Sequence, residues 1–173
     1  MRKNDKTSRF CLGSIHITLF VTGVLTFGFL DAFTAVLMME KYGIGAEFNP
    51  LMRELFLTQG IAGFIVFKVI AAALILSAPL LLHKHSGDMH WTTTGFLSVF
   101  AIGGAVAAMN NYIFLMSGQV WIEPGVVVGT VLVMVAAALQ IGEIVDYSSV
   151  QNKQFRISDE RWERMKMEMG YPL

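Results

Sequence analysis

The sequence predicts an all-α integral membrane protein, a polytopic bundle of four transmembrane helices. A short interfacial helix is expected between spans one and two, and an amphipathic helix in the C-terminal tail. Of the 173 residues, 54% are hydrophobic and only 15% are charged, whereas an ordinary soluble domain has about 25% charged residues. The 13 basic and 13 acidic residues balance, so no basic surface for nucleic acid is expected. Four segments reach the roughly 20 apolar residues that a membrane helix needs.

The four spans are separated by short polar connections. We place them at residues 10–39, 61–82, 92–116 and 126–145. The first is longer than the apolar core of a signal peptide, about 7–15 residues, so we expect it to remain as a helix. Residues 1–146 then form the transmembrane domain, and residues 147–173 form a cytoplasmic tail.

Basic residues predict the orientation of the spans. The N-terminal segment, the connection between spans two and three, and the tail carry ten of them: Arg2, Lys3, Lys6, Arg9, Lys84, Lys153, Arg156, Arg161, Arg164 and Lys166. The connections on the opposite side carry only Lys41 and Arg53. Because basic residues concentrate on the cytoplasmic side, we expect a multi-pass plasma-membrane protein with both termini in the cytoplasm.

The connection between spans one and two contains a helix start at Asn49-Pro50. Asn is a favoured N-cap residue, and Pro fits the first helical position. Apolar residues then recur on one side of the chain, namely Leu51, Met52, Leu55 and Phe56. This pattern predicts a short helix at the outer interface that ends near Gln59-Gly60.

The tail contains a second helix signal. Ser158 is a suitable N-cap, and Asp159 follows in the first turn, where the helix dipole favours an acid. Trp162, Met165 and Met169 share one face at helical spacing. We therefore expect a helix that rests on the membrane surface or against a partner protein.

Two charged residues interrupt the spans, and charged side chains in lipid usually face the bundle interior. Asp31 lies eight residues before Met39, where span one is expected to end, and Lys68 lies eight residues after Gly60, where span two begins. A rise of 1.5 Å per residue puts both about 12 Å below the outer ends of their helices. The sequence therefore predicts that Asp31 and Lys68 lie at one level.

Further polar residues are expected near the same level. Asn110 and Asn111 lie about 8–9 Å from the outer end of span three. Thr34 lies on the face of Asp31, three residues on, and Glu47 and Asn49 lie above, in the outer connection. We predict a site for an ion or ligand built from these seven residues: Asp31, Thr34, Glu47, Asn49, Lys68, Asn110 and Asn111.

Three functions remain open. The polar residues could bind or translocate an ion, a proton or a small polar ligand from the outer side. They could instead only fix helix packing, in an accessory subunit of a membrane complex. In an intramembrane hydrolase, Asp31 or Glu47 would act as acid or base beside the Asn49 and Asn110 amides. No nucleophile pair accompanies them, so we assign no catalytic residue, cofactor or metal. The expected partners are the lipid bilayer and further membrane subunits or copies of this chain.

Histidines cluster in the connection between spans two and three. His83, His85 and His90, with Asp88, are possible ligands for a transition metal, but their spacing matches no metal motif. We interpret this connection as a solvated turn. His16, in the first turns of span one, is interpreted as a hydrogen-bonded residue near the membrane surface.

The order of these polar residues resembles a known family. Asp31-x-x-Thr34, then Gly45-Ala46-Glu47-Phe48-Asn49-Pro50-Leu51, then Lys68, is similar to a group of small multi-span membrane proteins described only as a domain of unknown function. In that group an Asp in the first span, a Glu-x-Asn-Pro-Leu element and a Lys in the second span occur together. The resemblance extends mainly over residues 30–82. It implies no activity, but it implies that Asp31, Glu47, Asn49 and Lys68 belong to one site.

Overall fold

The computed structural model of the protein describes residues 13–86 and 89–169, with no strand among them. Four long helices make up the bundle: α1 (Ser14–Tyr42), α2 (Pro50–Ser86), α3 (His90–Ser117) and α4 (Pro124–Glu168). Each contains a stretch that is long and apolar enough to cross a membrane. The predicted all-α fold class is therefore confirmed, and the number of helices that could span a membrane is the predicted four. The N-terminal basic residues and the side chains of Lys84, His85 and Asp88 lie outside the described residues.

Helix α3 is the centre of the bundle. It packs against all three other helices, α1 also packs against α2, and α4 packs on α3. Helices α3 and α1 approach closely, and a Cβ atom added at Gly104 would overlap the backbone of Phe27. In the same region the Thr26 hydroxyl donates a hydrogen bond of 2.9 Å to the Ala101 carbonyl. Glycine at position 104 thus allows two helix backbones to meet, as is common in membrane bundles.

Helix α1 is not a regular α-helix throughout. Residues Val24–Leu30 form a π-helical segment, and the regular α-helix resumes at Asp31. A π-helical turn inserts residues into the helix and so changes which face the following side chains occupy. The π segment therefore sets the direction in which Asp31 points relative to the first half of α1.

Helix α2 is divided by a break at Gly60. Its φ of 65° is a left-handed conformation that glycine adopts without strain, and it separates a short helix, residues 50–59, from the long one. The Asn49 side chain accepts a hydrogen bond of 3.0 Å from the Leu51 amide, so the predicted N-cap is confirmed. The apolar side of the short helix packs on the bundle, through Met52, Leu55 and Phe56.

Helix α4 continues without a break into the tail. The sequence predicts a separate tail helix beginning after Ser158, whereas the structure has one helix of 45 residues, about 68 Å long. Neither Gly nor Pro occurs between Gly142 and Gly170, so no residue in that stretch strongly opposes helix continuation. The predicted stripe of Trp162, Met165 and Met169 is exposed.

The two ends of the bundle differ in the residues that they hold. We call the end with the short helix 50–59 and the connection before α4 the Asn49 end. We call the opposite end, where α1 begins near His83 and His90, the His16 end. Between them the core is apolar, and Leu76 and Leu97 have no exposed surface.

The close contact at Gly104 yields a test of the packing. Gly104→Ala should lower the free energy of unfolding by about 1–3 kcal/mol, because the added methyl group overpacks the contact with α1. Gly129→Ala is the matched control, since Gly129 has open space around it and alanine favours a helix by up to about 1 kcal/mol. Thermal unfolding in detergent compares the two. Equal melting temperatures for both variants would contradict the packing of α1 on α3.

Candidate functional site

Asp31 and Lys68 form an ion pair inside the bundle. Lys68 Nζ lies 2.7 Å from Asp31 Oδ2 and joins α2 to α1. The two side chains are 15% and 18% exposed, for Asp31 and Lys68 respectively. Lys68 Nζ also lies 5.2 Å from the centre of the Phe64 ring, at a distance where the ring face attracts a cation. The two charges therefore lie at one level, as predicted, and are in direct contact.

Helix α3 contributes an amide to this pair. Asn111 Nδ2 donates to Asp31 Oδ1 at 3.0 Å and lies 3.4 Å from Thr34 Oγ1. Both carboxylate oxygens of Asp31 thus accept a hydrogen bond, one from a cation and one from an amide. The Thr34 hydroxyl donates to the carbonyls of its own helix, at Leu30 and Asp31. Three helices are joined at one carboxylate.

Glu47 lies above the pair and is only 9% exposed. Its Oε1 accepts a hydrogen bond of 2.9 Å from the Asn49 amide. Arg53 Nε donates to the backbone carbonyl of Glu47 and not to the carboxylate. No hydrogen bond reaches Glu47 Oε2 from the described residues. The turn that contains Glu47 therefore engages only one of the two carboxylate oxygens, Oε1.

Asn110 has a different position from Asn111. It is buried, and its amide makes two hydrogen bonds of 2.9 Å with the backbone of Ile122, one donated and one accepted. These bonds hold the connection between α3 and α4 against α3. The position of Asn110 therefore indicates a structural contribution to one wall of the site.

A cavity of about 620 Å³ lies between these groups. Six of the seven predicted residues line it, namely Asp31, Glu47, Asn49, Lys68, Asn110 and Asn111. Thr34 is buried beside them and touches Asn111. The rest of the wall is mostly apolar and includes Phe27, Phe67, Ile75, Phe114 and Val127. The structure thus gathers the predicted residues around one space, and their binding of a ligand stays a prediction.

The cavity has a side that the helices do not close. Among the described helices, α2 and α4 each pack on α3 but do not pack closely against each other. Phe67 and Ile75 of α2 and Val128 of α4 line the cavity and are also exposed. The apolar part of the wall therefore reaches the outer surface of the bundle between α2 and α4.

Asp146, one residue beyond the predicted end of span four, is a structural residue. It is buried, and its carboxylate accepts hydrogen bonds of 2.9 Å and 3.0 Å from the amides of Trp91 and Thr92, and one of 2.8 Å from the Thr92 hydroxyl. It thereby caps the first turn of α3, where free amides favour an anion. Gly142 lies four residues before Asp146, one helical turn away, and a Cβ atom at Gly142 would overlap Thr92. This glycine one turn before the acid is a sequence signal for the contact.

The interpretation of His83–His90 as a solvated turn is wrong for His83. Its side chain is 4% exposed and lies in α2, near His16 of α1 and His90 of α3. The Nε2 atom of His16 is hydrogen bonded, as expected, at 3.1 Å from the Thr94 hydroxyl. His16 is more than 60 residues away from His83 and His90 in the sequence, so the sequence alone did not indicate that the three residues cluster.

A comparison of a single and a double variant tests whether Asp31 and Lys68 stabilise each other. Lys68→Met should destabilise the protein more than the double variant Asp31→Asn with Lys68→Met, because the single variant leaves an uncompensated carboxylate among apolar helices. The loss is roughly 3–5 kcal/mol for a fully buried pair, and less here because both side chains keep some exposure. Melting temperatures in detergent give the ranking.

The matched control for this test is Lys41→Met. The Lys41 ammonium is exposed and donates to the Leu115 carbonyl, so its removal should change stability by about 1 kcal/mol or less. A double variant no more stable than Lys68→Met would show that the two charges do not stabilise each other.

One comparison with known proteins finds a match. Residues 22–117 match the family model described as Domain of unknown function (DUF5658). No curated protein and no solved structure matches the chain. The matched residues extend from the first half of α1 to the end of α3 and contain all seven predicted site residues. They make up more than half of the chain, and the protein therefore belongs to this family of unknown function.

Proposed function

We propose that this protein crosses the plasma membrane four times, with both termini in the cytoplasm, and binds a small amphipathic molecule in the cavity at the Asn49 end. The observation that carries the proposal is a space of about 620 Å³ whose wall is mostly apolar and includes a few charged and amide groups. Small-molecule sites have volumes of about 300–1,000 Å³, mostly apolar walls and a few polar groups.

The contacts of Asp31 favour a molecule with a polar head over a bare cation. Both oxygens of Asp31 already accept hydrogen bonds from Lys68 and Asn111, so a cation would have to displace the ammonium. Glu47 Oε2 and the remaining protons of Lys68 Nζ are better placed to meet a ligand head group. Two acids and two bases, Asp31, Glu47, Arg53 and Lys68, line the cavity, which suits a head group with both donors and acceptors.

The apolar wall favours entry from the membrane. The side between α2 and α4 is lined by exposed Phe67, Ile75 and Val128, which would face lipid tails. A molecule with an apolar body could enter there and place its head at the Asp31–Lys68 pair. Leu76 and Leu97 are fully buried below the cavity, so binding is better supported than passage through the bundle.

An accessory subunit is the second candidate. Gly125 and Gly129 of α4 have open space beside them, and exposed Val126, Val128 and Val133 extend the same helix surface. Small residues at this spacing allow another helix to approach closely in lipid. In this case the Asp31–Lys68 pair would only fix helix packing, and no ligand would be needed.

The orientation can be tested with single cysteines. Gly45→Cys and Ser149→Cys are introduced separately into a Cys11→Ser background, since Cys11 is the one native cysteine. An impermeant maleimide added to intact cells should label position 45 and leave position 149 unlabelled until the cells are opened, because basic residues accumulate on the cytoplasmic side. Labelling of both positions from one side would contradict the four-span topology.

The ligand proposal is tested by a melting-temperature screen on the purified protein. We expect a rise with short-chain amphiphiles that carry a zwitterionic head and no rise with simple salts. Glu47→Gln should abolish this rise while changing the stability by less than about 1 kcal/mol, since the Gln oxygen still accepts from the Asn49 amide. Ala71→Phe, which fills part of the cavity wall, should also abolish it.

Glu54→Gln is the matched control. Glu54 lies on the short helix 50–59 that follows Glu47, but its side chain is exposed and does not line the cavity, so this variant should respond like the wild type. If the wild type responds to no amphiphile, or Glu47→Gln responds equally, the binding proposal fails and the accessory subunit is favoured.

A further inference from the structure

Three imidazole rings from three helices meet at the His16 end. His16 begins α1, His83 is close to the end of α2, and His90 begins α3. The centre of the His16 ring lies 4.9 Å from that of His83 and 4.8 Å from that of His90. One nitrogen from each ring can be chosen so that all three lie within 4.8 Å of one another. His16 and His83 are 1% and 4% exposed, whereas His90 is exposed to solvent.

The hydrogen bonds of His16 determine where its proton lies. Nε2 is 3.1 Å from the Thr94 hydroxyl and 3.4 Å from the His90 carbonyl. The Thr94 hydroxyl donates its proton to the His90 carbonyl at 2.8 Å, so it can only accept from His16. A carbonyl also can only accept. Nε2 therefore carries the proton, and the lone pair of neutral His16 lies on Nδ1.

This arrangement is typical of a metal-binding histidine. His16 Nδ1 is buried, and no donor among the described residues reaches it. A ligating histidine usually donates its other N–H to an oxygen, which fixes the tautomer and the direction of the ring. Thr94 and the His90 carbonyl provide that oxygen pair. A buried lone pair without a hydrogen-bond donor is otherwise unfavourable.

We propose that His16, His83 and His90 bind a divalent transition-metal ion of the zinc class. Three imidazoles suit Zn²⁺ and its neighbours, whereas Mg²⁺ and Ca²⁺ prefer oxygen ligands. With Zn–N distances of about 2.0–2.1 Å, tetrahedral ligand nitrogens lie about 3.3 Å apart. One nitrogen of each ring already lies within 4.8 Å of one nitrogen of each of the other two, so ring rotations can bring three nitrogens to this spacing.

The surroundings of the three rings agree with a cation that keeps one position open. The exposed side of His90 gives water access to a fourth coordination position, as in zinc sites with three protein ligands. Asp146 binds the amides of Trp91 and Thr92, directly after His90, and adds negative charge to this end of the bundle. The metal would join the beginnings of α1 and α3 to the end of α2.

The experiment uses the full chain, purified in detergent with an affinity tag that contains no histidine. After equilibration with Zn²⁺ and removal of free metal, the zinc content is measured by mass spectrometry, and the affinity by competition with a chromophoric chelator. We expect one Zn²⁺ per chain, no competition from Mg²⁺, and the visible spectrum of tetrahedral Co²⁺ when Co²⁺ replaces zinc.

Four variants make the assignment specific. His16→Gln and His90→Gln should each weaken zinc binding at least tenfold, and His90→Gln should fold even if the buried His16 variant does not. Thr94→Val removes the oxygen that positions His16 and should weaken binding by about 10–100-fold. His85→Gln tests the competing set suggested by the sequence, His83, His85 and His90, and should leave the affinity unchanged.

Three results would overturn the proposal. The first is a wild-type protein that retains no stoichiometric zinc. The second is full affinity in a folded His16→Gln or His90→Gln variant. The third is a loss of binding in His85→Gln with no loss in Thr94→Val, which would place the metal in the connection between α2 and α3 and not among the three helix ends.

Discussion

A charge inside an apolar helix bundle is stable only next to a partner, and Asp31 and Lys68 provide this for each other at 2.7 Å. The pair fixes how α1 and α2 are rotated, because a small rotation of either helix would expose a charge to the apolar interior. Asn111 extends the constraint to α3. The π-helical segment directly before Asp31 lets the first half of α1 pack tightly on α3 while the second half turns its carboxylate toward Lys68.

The same constraint leaves space above the pair. Because the described parts of α2 and α4 both pack on α3 and not closely on each other, the bundle is closed at its centre and open along one side of the Asn49 end. The connections on this end cover the cavity from above through Glu47 and Asn49. A pair that is satisfied without a ligand, beside a cavity that is already formed, is compatible with a preorganised binding site as well as with a purely structural cluster.

Sequence reasoning predicted the four spans and the level of the polar groups well. Counting residues from the helix ends is enough to place Asp31 and Lys68 at one depth, since the rise per residue is constant. The sequence could not show which helix faces meet. The contact of His16 with His83 and His90, and the cap that Asp146 forms on α3, both depend on helix rotation and on the choice of neighbours. The π segment adds to this difficulty, because it breaks the 3.6-residue period from which faces are inferred.

The unbroken helix α4 has a mechanical consequence. Its residues 147–168 continue past the cap at Asp146 and form a rod about 33 Å long beyond the start of α3. Among the described helices, α3 is the one on which α4 packs closely, so the direction of the rod depends on the angle between these two helices. A tilt of about 5° within the bundle would displace its tip by about 3 Å. A change in helix tilt that is too small to alter the packing of the bundle would thus produce a larger displacement at the exposed Trp162 face.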